Sequence, residues 1–279
     1  MTGLIKEQHS GEHSEKNQKI RLLSFNIQAG TSTARYHHYV THSWRQVLPH
    51  SRRIENLDAI AELVAAYDMV ALQEVDTGSL RSGFINQSRY LANHSDMPFW
   101  CHQSNRKVGT VAYPGNGFLS KFEPESVEDY RLPGIIPGRG TLLIRYGQGG
   151  NRLDVAVVHL ALGKRARRQQ LRFLAKELAG SPHLIVMGDL NTQVNSSPLL
   201  EFRQALGLVA PTAGLASYPS WQPQRAIDHI LVSHKLVTGK AEVLDLACSD
   251  HCPVTLEIEL PDGMKLEPAT RSIISVEAR

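Results

Sequence analysis

"HLIVMGD" (residues 183–189) runs through four consecutive apolar residues and ends on a carboxylate. A strand with one wet face alternates, and an amphipathic helix spaces its apolar residues three or four apart. A short unbroken run is what a strand buried on both faces requires. The same form recurs in "IRLLSFN" (20–26), "DMVALQE" (68–74) and "LDVAVVH" (153–159), each closing on a polar side chain. Glycine bounds two further strands, "GNGFLS" (115–120) and "GRGTLLIRY" (138–146). "IDHILVS" (227–233) and "CPVTLEIEL" (252–260) complete the set, the last alternating towards its end.

Two helices stand out between these runs. In 52–66, Ile54, Leu57, Ala61 and Val64 recur at helical spacing behind Ser51 as an expected N-cap. In 165–179, Leu171, Leu174 and Leu178 form one stripe and Arg165, Arg168, Arg172 and Lys176 another. Residues 1–19 read as a flexible polar arm, 20–260 as a single α/β domain and 261–279 as a C-terminal surface tail.

Bulk properties exclude several classes. With 279 residues, 42% hydrophobic and 20% charged, the chain has the composition of a globular protein. A net charge of +3 tolerates an anionic substrate without marking a dedicated nucleic-acid binder. Three cysteines without repeated spacing argue against a disulfide framework and for a reducing compartment. The N-terminus lacks a signal-peptide core, and no apolar run approaches the ~18 residues of a membrane span. The expectation is a cytoplasmic monomer without a transmembrane segment, peripheral contact with a membrane being left open.

The polar residues fall at the strand ends. Asn26, Glu74, His159 and Asp189 each close an apolar run, whereas Asp228, Asp250 and His251 each open one. If the first strands run antiparallel to the second group, all seven side chains reach one edge. Carboxylates gathered there repel unless a cation joins them, and an oxygen-rich set selects Mg²⁺ or Mn²⁺. "CSDHCPV" (248–254) also invites a zinc reading, but the only other cysteine, Cys101, has no partner at matching spacing. Cys248 and Cys252 are read as apolar fillers around Asp250 and His251.

"LSFNIQ", "ALQEVD", "GNGFLS", "VVHLALG", "MGDLNTQ", "AIDHILVS" and "SDHCPV" occur in the order found in the endonuclease/exonuclease/phosphatase superfamily. The chain resembles that superfamily over about 20–260; it includes pancreatic-type deoxyribonucleases, abasic-site endonucleases, sphingomyelinases and inositol-polyphosphate 5-phosphatases. The resemblance implies a four-layer α/β/β/α sandwich of two packed mixed β-sheets with helices outside. It implies hydrolysis of a phosphate ester, a phosphodiester first, with Mg²⁺ or Mn²⁺. Carried over residue by residue, Glu74 (the principal ligand), Asn26 and Asp250 hold the metal. Asp228 and His251 form a carboxylate–histidine pair, Asp189 aligns or deprotonates the attacking water, and His159 and Asn191 donate hydrogen bonds to the phosphate.

Other positions stay open. Asn116 either lies beside the site or serves its glycine turn; Arg81 and Arg139 either reach a substrate phosphate or are solvated loop arginines. His229, beside Asp228, points the opposite way along its strand and is read as structural. Residues 30–50, with Tyr36, His37, His38, Tyr39, His42 and Trp44, form a long insertion; its aromatics, with Tyr218 and Trp221 on an opposite wall, either face substrate as a lid or pack between loops. Such aromatics suit nucleobases or a lipid head group, so the substrate is left as nucleic acid or as a phospholipid or small phosphodiester. The arginine stripe is a solvated helix face or a contact for an anionic surface. A phosphomonoesterase is the enzymatic alternative, and a non-catalytic binding protein on the same fold is the alternative of another class.

Overall fold

The structure is a computed structural model and describes residues 17–28, 50–104, 114–134, 138–246 and 248–270. The chain begins with β1 (Lys19–Asn26), α1 (His50–Ala65), β2 (Met69–Asp76), α2 (Gln87–His94), β3 (Phe99–Ser104) and β4 (Pro114–Ser120). There follow β5 (Ser126–Arg131), β6 (Gly140–Tyr146), β7 (Leu153–His159), α3 (Lys164–Glu177), β8 (His183–Asp189) and α4 (Ser197–Leu206). It ends with β9 (Leu208–Val209), β10 (Asp228–Ser233), β11 (Val237–Val243) and β12 (Val254–Glu259). One mixed sheet has the order β11-β12-β1-β2-β4-β3 and the other β5-β6-β7-β8-β10-β9.

Each sheet contains one parallel pair, β1 with β2 and β7 with β8, and α1 and α3 make the two crossovers. A crossover must pass over a sheet face, so these helices cover the outer surfaces. Leu57, Ile60 and Val64 of α1 pack on Phe25, Val70 and Leu72. Leu171 and Leu174 of α3, with Leu199 and Phe202 of α4, pack on Ala156, Val158 and Val186. Alternate residues of the same strands (Leu22, Met69, Val155, Val157, Ile185, Met187, Ile230, Leu256) fill the space between the sheets. Burial on both faces accounts for the unbroken apolar runs, each large aliphatic side chain contributing about 1.5–3 kcal/mol.

Several boundaries differ from expectation. α1 starts at His50, so Ser51 lies in its first turn rather than at the cap. Part of the expected surface tail is built into the interior: Met264 and Leu266 join the inner cluster, and Gln18 brackets Leu266 through hydrogen bonds to its N–H (2.9 Å) and carbonyl (3.4 Å). Residues 1–16 and 271–279 lie outside the described residues. Strands β3, β5, β9 and β11 and helices α2 and α4 carried no expectation. All four strands lie at sheet edges or one face from solvent, and β5 (SVEDYR) and β11 (VTGKAEV) have no apolar run to betray them. Among the described residues no helix is long and apolar enough to cross a membrane.

The parallel pairs decide where chemistry is placed. β1 and β2 end together, as do β7 and β8, while the antiparallel β10 and β12 begin at that same end. Gly188 is required there: with φ +146° its backbone approaches β7 so closely that a Cβ would lie 1.9 Å from the Val158 carbonyl oxygen. Gly188→Ala is therefore expected to destabilise the protein by about 3 kcal/mol or more, read as the loss in chemical denaturation. A loss below about 1 kcal/mol would show that β7 and β8 do not approach so closely.

Candidate active site

The register aligns polar residues across both sheets. His159 pairs with Asp189 and Asp189 with Asp228, making one row across β7, β8 and β10. On the facing sheet Asn26 pairs with Gln73, Gln73 with Asn116 and Asn116 with Gln103. These rows close the apolar interior at one end. The seven strand-end residues thus meet as expected at a common edge, but they are divided between two facing sheets rather than set along one.

Asp189 is the junction. Its Oδ2 accepts from Asn26 Nδ2 at 3.3 Å across the sheets and lies 3.4 Å from His159 Nε2 and 3.9 Å from His251 Nε2. Its Oδ1 accepts the Asn191 N–H at 2.9 Å. Burial alone would raise this carboxyl, but the hydrogen bond from His159 and the charges of His159 and His251 outweigh it and hold it well below the usual range. Asn191 has φ +50°, a conformation asparagine tolerates better than most residues, and its Nδ2 donates to Leu160 O at 2.9 Å. "GDLN" is thus one tight turn: a glycine for close approach, a carboxylate accepting the turn's N–H, and an asparagine in the left-handed region.

Glu74 is aimed by a bulge. Gln73 pairs with Asn116 and Val75 with Gly115, so Glu74 is the extra residue of β2, with φ +58°. Its Oε1 lies 3.9 Å from His159 Nε2, and its side chain is 37% exposed, unlike the buried residues around it. A non-glycine residue held there costs about 1–3 kcal/mol. Glu74→Gly is therefore expected to leave the metal-free protein as stable as the parent or up to about 1 kcal/mol more stable. A thermal midpoint lowered by several degrees would contradict the strain argument.

His251 is anchored by Asp228, whose Oδ2 receives His251 Nδ1 at 2.8 Å and the Ser217 hydroxyl, leaving Nε2 directed towards Asp189. Burial disfavours the imidazolium, yet the Asp228 charge and hydrogen bond overcome it and push His251 up to about 10. The Tyr218 ring lies 4.8 Å from the His251 ring. Asp250 is buried and pushed up to about 6: desolvation raises it, His251 opposes, and the Glu74 charge raises it further. Ser249 ties this segment to β1 by donating to Asn26 O at 2.6 Å. His229 behaves as a structural residue, its Nε2 2.8 Å from Thr192 O.

Arg139 enters the cluster, its Nη1 2.6 Å from both ring nitrogens of His159. Asn116 is wholly buried and donates to Gly140 O at 2.9 Å and to Gln103 Oε1 at 3.3 Å, which bridges the sheets beside the site. Trp221 is not among the groups around Asp189; it lines a neighbouring cavity of about 480 Å³ with Ser220, Pro223, Val243, Leu244, Asp245 and Cys252. Arg81 occupies a 3-10 turn after β2, its side chain outside the described set. Trp44 and residues 29–49 also lie outside the described residues.

Sequence reading missed Gln73, Ser217 and Ser249. Gln73 had a signal: it shares the inward phase of Met69 and Ala71 at the end of β2, where a polar residue stands out.

Two sets offer themselves to a cation. Asp189, Asp228 and His251 each place a donor atom within 4.8 Å of the others. Asp189 already accepts from Asn26 and Asn191, and Asp228 Oδ2 from His251 and Ser217, while Asp228 Oδ1 is buried without a hydrogen-bond partner among the described residues. Asn26, Glu74 and Asp250 form the oxygen set, and Asp250 is raised partly because Glu74 repels it. A hard divalent ion beside Glu74 and Asp250 would relieve that repulsion.

A profile of the Endonuclease/Exonuclease/phosphatase family matches residues 23–251. No curated protein matches the chain in sequence. Among solved structures, an endonuclease/exonuclease/phosphatase family protein from Bacteroides thetaiotaomicron superposes with a TM-score of 0.66 at 16% identity, covering 89% of this chain and 98% of that one. The human Nocturnin catalytic domain with bound sulfate gives 0.62 at 17%, covering 87% and 95%. A mannosyl-6-phosphatase from Bacteroides thetaiotaomicron gives 0.60 at 15%, covering 86% and 99%. Likeness at these identities establishes a shared fold.

Proposed function

The chain belongs to the Endonuclease/Exonuclease/phosphatase family, and from that premise we propose that it is a divalent-metal-dependent hydrolase of a phosphodiester, acting by in-line attack of water. The observation that carries this reading is the meeting of two carboxylate–imidazole contacts on Asp189, beside the oxygen donors Asn26, Glu74 and Asp250.

Glu74, with Asn26 and Asp250, would hold Mg²⁺ or Mn²⁺. When bound, the ion supplies Lewis-acid stabilisation of charge on the phosphoryl and leaving oxygens. The chain's own groups do the rest. Asp189, held ionised, orients the attacking water and draws on its proton. His251, with Asp228 behind Nδ1, presents Nε2–H to a non-bridging oxygen. His159 and Asn191 add donors as negative charge grows, and Arg139 adds a fixed cation beside His159. Ser217 and Ser249 hold the pair and the Asp250 segment in place.

The test is a panel assayed with Mg²⁺: plasmid and oligonucleotide DNA, RNA, phospholipids, inositol phosphates, and bis-p-nitrophenyl against p-nitrophenyl phosphate. The proposal expects turnover of the diester over the monoester. Preference for the monoester would make the protein a phosphatase. No turnover of any ester, with metal bound, would favour a binding protein on this fold.

A further inference from the structure

The site end of the sandwich also carries three outward-facing apolar side chains, and the geometry points to docking of this end on an anionic lipid bilayer. Leu80 is 58% exposed and Phe84 70% exposed, both on the loop that follows β2 and Glu74. Leu162, 75% exposed, lies on the loop that follows β7 and His159. Glu74 and His159, from whose strand ends the two loops start, approach within 3.9 Å.

Both loops are braced rather than slack. Asp76 accepts the N–H groups of Gly78 (3.0 Å) and Ser79 (2.8 Å) and the Ser79 hydroxyl (2.6 Å). The Ser79 carbonyl in turn accepts from Ser82 N and Phe84 N. Phe84 stands at φ +62°, an unfavourable region for an aromatic residue, so the chain keeps a bulky apolar group on an exposed, strained tip. On the second loop, Gln170 Oε1 accepts Ala161 N at 2.8 Å and the buried Arg167 donates to the carbonyls of Ala161 and Leu162. Rigid loops displaying apolar tips lose little entropy when those tips enter an apolar phase.

The charge beside them selects the phase. α3 starts two residues after Leu162 with exposed Lys164 and Arg165, then Arg168, and its first turn has no acidic residue. None of these three is ion-paired among the described residues. Cations at a helix N-terminus oppose the helix dipole, so their presence there favours an anionic partner over the helix itself. Apolar tips with basic residues to one side suit an anionic bilayer, the tips entering the acyl boundary and the cations meeting head groups. Arg172 and Lys176 lie about 12 and 18 Å further along the helix from its start, beyond the first contact of a flat surface. A nucleic-acid strand following the helix would instead use them as fully as Arg165 and Arg168.

The experiment sediments the full chain with vesicles of equal parts phosphatidylglycerol and phosphatidylcholine, or of phosphatidylcholine alone, over a range of salt. Binding to the anionic vesicles is expected, weakening as salt rises. Phe84→Gly removes the aromatic and its strain together; it should reduce vesicle affinity about tenfold while the thermal midpoint holds or rises. Leu162→Ser and Lys164→Glu should each reduce affinity about fivefold or more. Hydrolysis of a soluble diester should be unchanged in all three, which separates this inference from the proposed reaction. Absence of binding to anionic vesicles overturns it. So does loss of DNA-oligonucleotide binding in Arg172→Glu and Lys176→Glu while the three tip variants bind vesicles like the parent.

Discussion

Replacing Asp189 by Asn is expected to lower kcat for diester hydrolysis by about 10²–10⁴-fold with the fold intact. The side chains have the same shape, and Oδ1 can still accept the Asn191 N–H. The other arm decides the outcome. Oδ2 faces Asn26 Nδ2 and the Nε2 atoms of His159 and His251, so an amide NH₂ there would oppose donors with a donor. The variant also removes the charge that attracts both imidazoles and the acceptor proposed to orient water. Binding of substrate draws on other groups, so KM should move far less than kcat. Retention of more than about a tenth of the activity would remove Asp189 from the reaction.

Asp228→Asn carries the second large effect, about 10³–10⁴ in kcat, by analogy with any imidazole whose orienting carboxylate becomes an amide. His251 receives its Nδ1 partner and most of its raised basicity from Asp228. With an amide in that place the ring can turn or change tautomer, and the proposed donation from Nε2–H to the phosphate is lost. Ser217→Ala is the control, because Ser217 donates to the same Oδ2 without touching the ring. Loss of that hydrogen bond to a carboxylate should cost about 1.5–3 kcal/mol, roughly a hundredfold at most. Equal losses in the two variants would mean that Asp228 serves the fold and not His251.

Much of this was legible in the sequence because the physics of buried strands is local. "LDVAVVH" and "HLIVMGD" have no hydrophilic face, so both faces are covered, and they coincide with β7 and β8. Polar residues at the ends of such runs have no place in the interior, which made Asn26, Glu74, His159 and Asp189 stand out. Distribution over two sheets was not local information; only the motif order carried it. Strand β5 escaped because an edge strand with half-exposed residues looks like a loop. The burial of Met264 and Leu266 escaped because it depends on Gln18 closing over them from the other end of the chain. The bulge at Glu74 was also beyond reading: its φ follows from register against β4, which no residue of "ALQEVD" announces. Trp221 is grouped with Tyr218 by proximity in sequence; Tyr218 lies against the His251 ring, and Trp221 lines the neighbouring cavity with Ser220 and Cys252.

The central claim is that Glu74, Asn26 and Asp250 hold the ion on which hydrolysis depends. Its most direct test is hydrolysis of bis-p-nitrophenyl phosphate by chelator-stripped protein titrated with Mg²⁺ and with Mn²⁺, beside Glu74→Gln. The account predicts that activity is absent in chelator, rises to saturation with either ion, and stays near background in Glu74→Gln at every concentration. Activity undiminished by chelator, or a Glu74→Gln titration that overlays the parent's, would contradict it.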